Sequence, residues 1–452
     1  MRVVVVGGGV AGLSAALEAR VLRPDAEIVV LEAGSRIGGK VAVSEVGGLM
    51  VDEGADSMLT RVPDGLALAR SAGLEAELVS PAVGQASVWS RGRLRDLPTG
   101  TLLGLPTDLA ALARSGLLST AGLYRVLADL GAPGAGVQED CSVGDLVRRR
   151  FGGEVVDRLV DPLLGGVYAG RADLLSLRAT LPQLVRPAAR HRSLLLAARE
   201  ARAATPATDG PLFASLPGGL GRLPARVAAA ARADVRLHTT ARGLARTPTG
   251  WRVTTGSAAA PQELTADAVV LAVQGAPADR LLAGLAPALE VDYASVAIVT
   301  LVLAGPTPGR GSGYLVPAVE GRTTKAVTFT SRKWRHLAGE LAVVRASVGR
   351  YGEAHDLQRD DADLVAAVAA ELTVAVGPLP AVAASRVTRW GGGLPQYAVG
   401  HLDRVRRTRE AVARHPGLAV AGAAYDGVGV PACARSGRAA ARQALAHNVV
   451  HD

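Results

Sequence analysis

The sequence has few of the residues on which several classes of protein depend. Only Cys141 and Cys433 are cysteines, and they lie too far apart for a disulfide framework or a metal-ligand motif. Aromatic residues make up 3% of 452 residues, and no basic run alternates with stacking side chains, which argues against nucleic-acid binding. We therefore expect two inert thiols, no metal, no nucleic-acid partner and a reducing, cytoplasmic setting.

Long apolar runs are also missing. The longest candidate, residues 102–118, is interrupted by Pro106, Asp108 and Arg114, and no run approaches the roughly 18–20 residues of a membrane-spanning helix. A β-branched run begins at residue 2, so we expect no targeting leader. At most, a peripheral contact with membranes is expected.

Lysine is scarce, whereas arginine is abundant. Lys40, Lys325 and Lys333 are the only lysines among 50 basic residues, and the formal net charge is +9. A GC-rich genome is the plain explanation of this bias. The functional explanation is attraction to an anionic membrane surface or to a polycarboxylate substrate, which arginine binds through a bidentate fork.

The first forty residues have the pattern of a dinucleotide-binding unit. Residues 2–6 form an apolar run suited to a buried parallel strand, and residues 7–12 fit G-x-G-x-x-G. A helical stretch runs from Leu13 to about Arg20, and a second apolar run ends in Glu32, twenty residues after the last motif glycine.

Each part of this unit has a physical role. Gly7 permits the tight turn, Gly9 lets the backbone approach a pyrophosphate, and Gly12 lets the helix pack closely on the strand. The helix N-terminus presents free N–H groups to the phosphate, and Glu32 can accept hydrogen bonds from ribose hydroxyls. The unit therefore predicts a bound dinucleotide.

The rest of the chain predicts an α/β protein with interleaved segments. Residues 81–205 are rich in Leu, Ala and Arg and are interpreted as helices, with Ser142 as one N-cap. Strand-like runs return near residues 235–239, 251–255, 268–272, 293–305, 341–348 and 418–422, and residues 361–376 have a helical pattern. We expect a Rossmann-like FAD-binding domain built from residues 1–80, 206–275 and 386–452, a helical substrate or membrane-type insertion over 81–205, and a mixed-sheet substrate domain over 276–385.

The choice of FAD depends on a resemblance. Residues 32–40 read E-A-G-S-R-I-G-G-K, which resembles the E-x(3)-R-x-G-G-[RK] segment of the FAD-binding amine oxidase, phytoene desaturase and protoporphyrinogen oxidase superfamily. Residues 52–57, D-E-G-A-D-S, resemble the next element of that superfamily, a loop near the flavin ring. This resemblance implies FAD as the cofactor.

Four further segments narrow the resemblance to the bacterial oxygen-dependent porphyrinogen oxidases, which comprise coproporphyrinogen III oxidases and protoporphyrinogen oxidases. They are residues 161–170 (D-P-L-L-G-G-V-Y-A-G), 216–224 (L-P-G-G-L-G-R-L-P), 390–401 (W-G-G-G-L-P-Q-Y-A-V-G-H) and 425–431 (Y-D-G-V-G-V-P). The family resemblance implies six-electron oxidation of a porphyrinogen in heme biosynthesis, with O2 as acceptor and H2O2 as product. It also suggests transient contact with the next enzyme of the heme pathway; the oligomeric state is left open.

The resemblance also implies which residues hold FAD. The adenosine and pyrophosphate would contact Gly7, Gly8, Gly9, Val10, Ala11, Gly12, Glu32, Ala33 and Lys40, with Ala241 at the adenine. Gly54, Ala55, Asp56 and Ser57 would lie beside the ring, and Trp390, Val428, Gly429 and Val430 would close the site. A helix beginning near Pro431 would direct N–H groups at the electron-rich edge of the reduced flavin.

Substrate residues are harder to assign. Tyr168 is the best candidate to line the cleft near the flavin, and His401 is interpreted as structural. Candidate arginines for propionate groups lie in the helical insertion: Arg148, Arg149, Arg178, Arg186 and Arg192. Eukaryotic relatives carry an arginine in the segment matching residues 54–57, which is acidic and polar here, and this difference favours the coproporphyrinogen branch.

Several alternatives stay open. Protoporphyrinogen IX is the alternative substrate, because it differs from coproporphyrinogen III only at the rim of the macrocycle. A flavin amine oxidase would need an aromatic cage and a lysine near the flavin, for which 14 aromatic residues and three lysines leave little material. A carotenoid desaturase does not predict the Pro-Gln-Tyr segment. A flavoprotein scaffold without turnover is the alternative outside the enzymes.

Overall fold

The N-terminal valine run forms the centre of a parallel sheet in the computed structural model, which describes residues 1–131, 136–205 and 210–446. Val3 to Val6 are almost fully buried, as expected for a strand covered on both faces. The first elements are β1 (Arg2–Val6), α1 (Val10–Leu22), β2 (Glu27–Leu31), β3 (Val43–Val46), β4 (Leu49–Asp52), β5 (Met58–Leu59) and α2 (Pro63–Ser71).

The helical region begins later than the sequence predicts. Its start is formed by strands β6 (Ala86–Ser90), β7 (Arg93–Asp96), β8 (Thr101–Leu102) and β9 (Leu105–Pro106). The prediction of helices from residue 81 was wrong here, because β6 and β7 pair as a local hairpin. Strand β6 also pairs with residues 313–315, more than 220 residues away. The helices are α3 (Leu109–Ser115), α4 (Thr120–Ala128), α5 (Val143–Phe151), α6 (Gly153–Val155), α7 (Asp161–Tyr168), α8 (Leu177–Thr180), α9 (Pro182–Arg190) and α10 (Leu194–Ala203), and a π-helical turn over Val156–Val160 joins α6 to α7.

The chain then returns to the first sheet. These elements are β10 (Phe213–Ala214), α11 (Leu223–Ala231), β11 (Asp234–Arg236), β12 (Gly243–Thr247), β13 (Gly250–Gly256), β14 (Pro261–Ala266), β15 (Ala268–Leu271) and α12 (Gly275–Leu281). Strands β12, β13 and β14 form an antiparallel sheet of their own. The predicted N-cap in the preceding region is confirmed, since Ser142 Oγ accepts a hydrogen bond from the backbone of Asp145 at 3.0 Å.

The last third contains a second large sheet and the closing helices. They are β16 (Tyr293–Leu303), β17 (Gly313–Leu315), β18 (Thr324–Phe329), α13 (Thr330–Lys333), β19 (Ala342–Val348), α14 (Asp361–Val376), β20 (Val382–Pro395), α15 (His401–Val412), β21 (Leu418–Val420), α16 (Ala423–Asp426) and α17 (Val430–Leu445). Helix α14 has the bounds expected from the sequence. Among the described residues, no helix combines the length and the apolar character needed to cross a membrane.

The first sheet has the strand order β11–β2–β1–β15–β21, and all four pairs are parallel. Its strands come from residues 2–31, 234–271 and 418–420, so a Rossmann-like unit assembled from discontinuous segments is confirmed. The domain boundaries given above stay predictions. Parallel order places the carboxyl ends of β1, β2 and β15 at one edge, where such sheets bind ligands.

The second sheet is mixed, as predicted, with the order β20–β16–β19–β18–β17–β6–β7. Only β17 and β6 pair in parallel. Tyr314 belongs to the core that α14 covers. Its neighbour Leu315 faces α7, as shown by Gly166 of that helix, where an added Cβ would lie 3.7 Å from Leu315 Cδ2. Successive strand residues point to opposite faces, so α14 and α7 lie on opposite faces of this sheet.

Candidate functional site

The glycine loop after β1 combines two crowded positions with one open position. A Cβ at Gly7, where φ is +106°, would lie 2.5 Å from the Ala272 carbonyl oxygen, and a Cβ at Gly12 would lie 1.9 Å from Gly7 O. Only glycine fits at these two places. At Gly9, by contrast, an added Cβ would meet nothing within 4 Å, which leaves space for a ligand against the backbone.

Two helix N-termini are directed at this region. Helix α1 follows Gly9 and α17 follows Gly429, and neither glycine can supply a side-chain cap; neither first turn contains an acidic residue. Helices α1 and α17 approach so closely that a Cβ at Gly437 would lie 2.0 Å from Ala11 O. Uncapped N–H groups and the partial positive charge of a helix N-terminus attract anions. The arrangement therefore fits the pyrophosphate of FAD and the electron-rich edge of its ring.

Glu32 stands at the end of β2, beside the glycine loop. Its carboxylate oxygens accept hydrogen bonds from the backbone of Gly8 at 2.8 Å and of Gly34 at 2.7 Å. The loop that contains Ala241 crosses this strand end, since the backbone N–H of Thr239 donates to Glu32 O at 2.8 Å. The structure thus brings together the residues expected around the adenosine, with Ala33 exposed among them.

A second group converges on the start of α17. The backbone N–H of Ala55 donates to Lys40 O at 3.0 Å, and a Cβ at Gly54 would lie 2.1 Å from that same oxygen. Trp390 Nε1 donates to Glu53 O at 3.0 Å. Burial lowers the pKa of Lys40, whose side chain lies near Cys433 on α17. Residues from three distant parts of the sequence therefore meet here.

Asp56 is held by the second sheet. Its Oδ2 lies 2.9 Å from Lys333 Nζ, 3.4 Å from Trp334 Nε1 and 3.8 Å from Arg345 Nη1. Burial alone would raise the pKa of Asp56, but the two cations outweigh burial and lower the pKa below its ordinary value. Ser57 Oγ donates to Asp56 Oδ1 at 3.0 Å. Both side chains therefore have partners within the protein, and their predicted place beside the flavin ring stays a prediction.

Sequence reasoning missed Lys333, Trp334 and Arg345. Lys333 ends α13, Trp334 follows that helix immediately, and Arg345 lies on β19. All three lie almost 280 residues or more beyond Asp56 in the sequence. The one available signal was the scarcity of lysine. In a chain that uses arginine at almost every basic position, the few retained lysines are candidates for a specific role.

The glycine-rich return at residues 216–224 packs on the β3–β4 hairpin. Asp52 accepts hydrogen bonds from the backbone of Leu220 at 3.1 Å and of Gly221 at 3.0 Å. A Cβ at Gly221 would lie 2.5 Å from Val43 N, so a larger residue there would separate the two segments. Burial raises the pKa of Asp52 to about 6.

Tyr168 ends α7 and lies edge-on to Tyr397, with ring centroids 5.5 Å apart. Its carbonyl oxygen accepts a hydrogen bond from Gln396 Nε2 at 2.8 Å, which joins the helical insertion to the Pro-Gln-Tyr segment. Burial raises the pKa of Tyr168 to about 12. The phenol therefore stays protonated at neutral pH, and it can line a cleft but cannot serve as a base.

His401 is 1% exposed and stacks on Tyr397 with ring centroids 4.4 Å apart. Neither ring nitrogen forms a hydrogen bond with the described residues. Burial, with a smaller contribution from Arg404, lowers the pKa of His401 to about 4. A neutral, stacked imidazole supports the interpretation of His401 as a structural residue.

This burial makes stability depend on pH. In the unfolded chain the His401 pKa is about 6.5, so between pH 6.5 and 4 the unfolded state binds a proton that the folded state does not. The free energy of unfolding should therefore fall with falling pH, by about 2 kcal/mol at pH 5 from this residue. The measurement is the free energy of unfolding by urea at pH 7 and pH 5. Between these two pH values, it should fall by about 2 kcal/mol less in His401→Phe than in the wild type. An unchanged pH dependence would contradict the burial of a neutral imidazole.

The five candidate arginines of the helical insertion are all exposed. Arg148 is paired with Asp157 and Asp173, and Arg149 and Arg192 border a polar cavity of about 360 Å³. None of the five belongs to the groups that meet around the glycine loop. Whether any of them holds a substrate carboxylate stays a prediction.

Comparisons with known proteins agree over the whole chain. The model of the family described as flavin containing amine oxidoreductase matches residues 10–445. Coproporphyrinogen III oxidase of Bacillus subtilis is 32% identical over 98% of both chains, and that of Mycobacterium bovis is 36% identical over 95% of this chain and 94% of the relative. Protoporphyrinogen oxidase of Macaca fascicularis is 29% identical over 98% of both chains.

Solved structures show the same extent of similarity. A protein from Exiguobacterium is 33% identical and superposes with a TM-score of 0.87 over 99% of both chains. Cyclohexylamine oxidase from Brevibacterium oxydans is 18% identical, with a TM-score of 0.71 over 99% of both chains, and at this identity it shows the fold alone. The similarities extend well beyond the nucleotide-binding unit.

Proposed function

The chain belongs to the family of flavin containing amine oxidoreductases, and we propose that it oxidises coproporphyrinogen III to coproporphyrin III with O2 as acceptor. The observation that carries the proposal is near full-length similarity to several curated coproporphyrinogen III oxidases at 32–36% identity. The family confirms FAD as the cofactor that the sequence predicts, and the uncapped starts of α1 and α17 suit its anionic parts.

The reaction removes six electrons and six protons from the porphyrinogen in three rounds. Three O2 molecules are reduced to three H2O2, so atoms and electrons balance. Bound FAD supplies a two-electron acceptor at the site. The chain's own part is positioning: the α1 and α17 N-termini hold negative charge, and Trp390, fixed by its hydrogen bond to Glu53 O, helps to close the site.

The residues near the site suggest little acid–base catalysis by the protein. Tyr168 stays a protonated phenol because burial raises its pKa to about 12, and His401 is buried against Tyr397. Tyr168 would line the cleft as an apolar, edge-on wall beside Tyr397. Protons would then leave the macrocycle with water.

Aerobic turnover of the purified holoenzyme tests this proposal. We expect coproporphyrinogen III to give fluorescent porphyrin, with three O2 consumed and three H2O2 formed for each porphyrin released. Turnover of cyclohexylamine or putrescine instead would favour an amine oxidase. Retained FAD without substrate-dependent O2 uptake would favour a flavoprotein scaffold.

Protoporphyrinogen IX is the second candidate substrate, favoured by the similarity to the Macaca enzyme over 98% of both chains. For location, we propose a cytoplasmic protein with at most peripheral membrane contact. Two observations support this: the arginines interspersed among the leucines of the helical insertion, and the lack of a long apolar helix among the described residues.

A further inference from the structure

Lys325 is a buried lysine for which the described residues provide no carboxylate. It lies on β18 with 5% of its surface exposed. Burial, with a smaller contribution from nearby Arg350, lowers the pKa of Lys325 to about 7, and no acidic group contributes. A buried charge is unfavourable unless it is paired. The site already described does not use this residue.

A β-bulge lies at this position. Thr324 stands opposite Val348 and Ala326 stands opposite Ser347, so Lys325 is an extra residue in β18. Bulges interrupt the alternation of a strand and redirect a side chain, often beside active sites. Lys325 is the one charged residue of β18, and it stands at the point where the bulge allows a side chain to change direction.

The neighbouring residues place the bulge beneath the helical insertion. Ala326 pairs with Leu315, which faces Gly166 of α7. Tyr168, the proposed cleft residue, ends this same helix. Ala326 and Leu315 are only partly buried, so the sheet under α7 is not tightly covered. The bulge at Lys325 therefore borders the space between the helical insertion and the second sheet.

A second cation lies close by. Arg350 Nη2 donates to Val316 O at 3.0 Å, and the backbone N–H of Val316 donates to Lys325 O at 2.8 Å. Burial lowers the pKa of Arg350 as well, and its one ion-pair partner among the described residues, Glu353, is 3.8 Å away. Four carboxylates, those of Glu353, Asp161, Glu371 and Asp356, act on Arg350, whereas none acts on Lys325. Of the two buried cations, Lys325 is therefore the one that lacks a compensating acid.

We propose that Lys325 is directed into the cleft under α7 and receives one carboxylate of the porphyrinogen, which makes it a specificity-determining residue. This rests on the proposed function. A flat tetrapyrrole entering an apolar cleft must remove water from its propionate groups, and an unpaired buried ammonium compensates for that loss. Sequence reasoning sought these cations among arginines of the helical insertion, whereas Lys325 comes from the opposite wall.

The test is Lys325→Met, which keeps the length of the side chain and removes its charge. The probes are the product coproporphyrin III and its tetramethyl ester, with binding to the holoenzyme measured by fluorescence. We expect the tetra-acid to bind about 10- to 100-fold more weakly to the variant, and the ester to bind as tightly as to wild type. Thermal stability should be unchanged or higher, because an unpaired buried charge is removed.

Two control variants make the result interpretable. Lys333→Met removes the buried lysine that is paired with Asp56, and we expect lower stability there without a selective loss of the tetra-acid. Lys325→Arg keeps the charge and should keep the preference for the tetra-acid over the ester. This variant also provides a test if Lys325→Met fails to fold.

Three results would overturn the proposal: equal binding of the tetra-acid by Lys325→Met and wild type, an equal loss of both probes, or no preference for the tetra-acid in wild type. Wild-type turnover of coproporphyrinogen III decides the proposed function separately, because the porphyrin probes are not oxidised.

Discussion

Gly9→Asp is expected to abolish FAD binding while leaving the fold intact. The Gly9 φ is −73°, which any residue can adopt, and an added Cβ meets no protein atom within 4 Å. The aspartate would instead place a negative charge in the space where the pyrophosphate approaches the start of α1. At about 4 Å and an effective dielectric constant of about 20, two unit charges repel by about 4 kcal/mol, or about 1000-fold in affinity.

The measurement is the flavin absorbance of the purified variant, together with its far-ultraviolet circular dichroism. Gly339→Asp is the matched control, because Gly339 is exposed and an added Cβ there also meets nothing within 4 Å. The control should purify yellow and Gly9→Asp colourless, both with a native spectrum. A yellow Gly9→Asp protein would contradict the assignment of the glycine loop to the pyrophosphate.

Asp56→Asn is expected to lower the free energy of unfolding of the holoenzyme by about 3–5 kcal/mol. The substitution keeps the shape of the side chain but leaves Lys333 and Arg345 without their carboxylate, and their side chains are only 15% and 7% exposed. Breaking a buried ion pair on one side costs about this much, since an uncompensated charge stays behind. The loop at residues 54–57 would lose its attachment to the second sheet.

Urea unfolding of three variants tests this cluster. Adding Lys333→Met to Asp56→Asn should recover part of the loss, because one of the two unpaired cations is removed. Asp403→Asn is the exposed control: Asp403 is 70% exposed in its pair with Arg406, so we expect a change below about 1 kcal/mol. A loss below about 1 kcal/mol for Asp56→Asn would show that Asp56 does not anchor the loop.

Local signals were enough to predict the nucleotide-binding unit. The valine run, the three spaced glycines and Glu32 lie within 32 residues, and their roles follow from short-range geometry. Strands β1 and β2 lie where expected, and α1 includes the predicted helix but begins earlier, at Val10. Helix α14 could be predicted equally well from its hydrophobic periodicity. The start of α17 at Val430 could be predicted from Pro431, a residue favoured at the first turn of a helix. The strands at residues 86–96 were missed although they form a local hairpin, and only their place in the second sheet depends on residues far along the chain.

The candidate site was likewise predictable only in part from the sequence. The family resemblance indicated Gly54–Ser57 and Trp390, but not that Asp56 is held by Lys333 and Arg345, since sequence spacing does not reveal which strands of a mixed sheet become neighbours. The assignment of propionate partners among the arginines of the helical insertion stays a prediction, because composition alone suggested it. A lysine at a β-bulge has no local signature beyond its rarity.

The central claim is that this chain acts on a porphyrinogen with four carboxylates. Its most direct test is a pair of aerobic assays of the purified holoenzyme, which compare kcat/KM for coproporphyrinogen III and protoporphyrinogen IX by porphyrin fluorescence and H2O2 formation. The account predicts a clear preference for coproporphyrinogen III. Preference for protoporphyrinogen IX would contradict the proposed substrate, although the fold and the FAD site would stand.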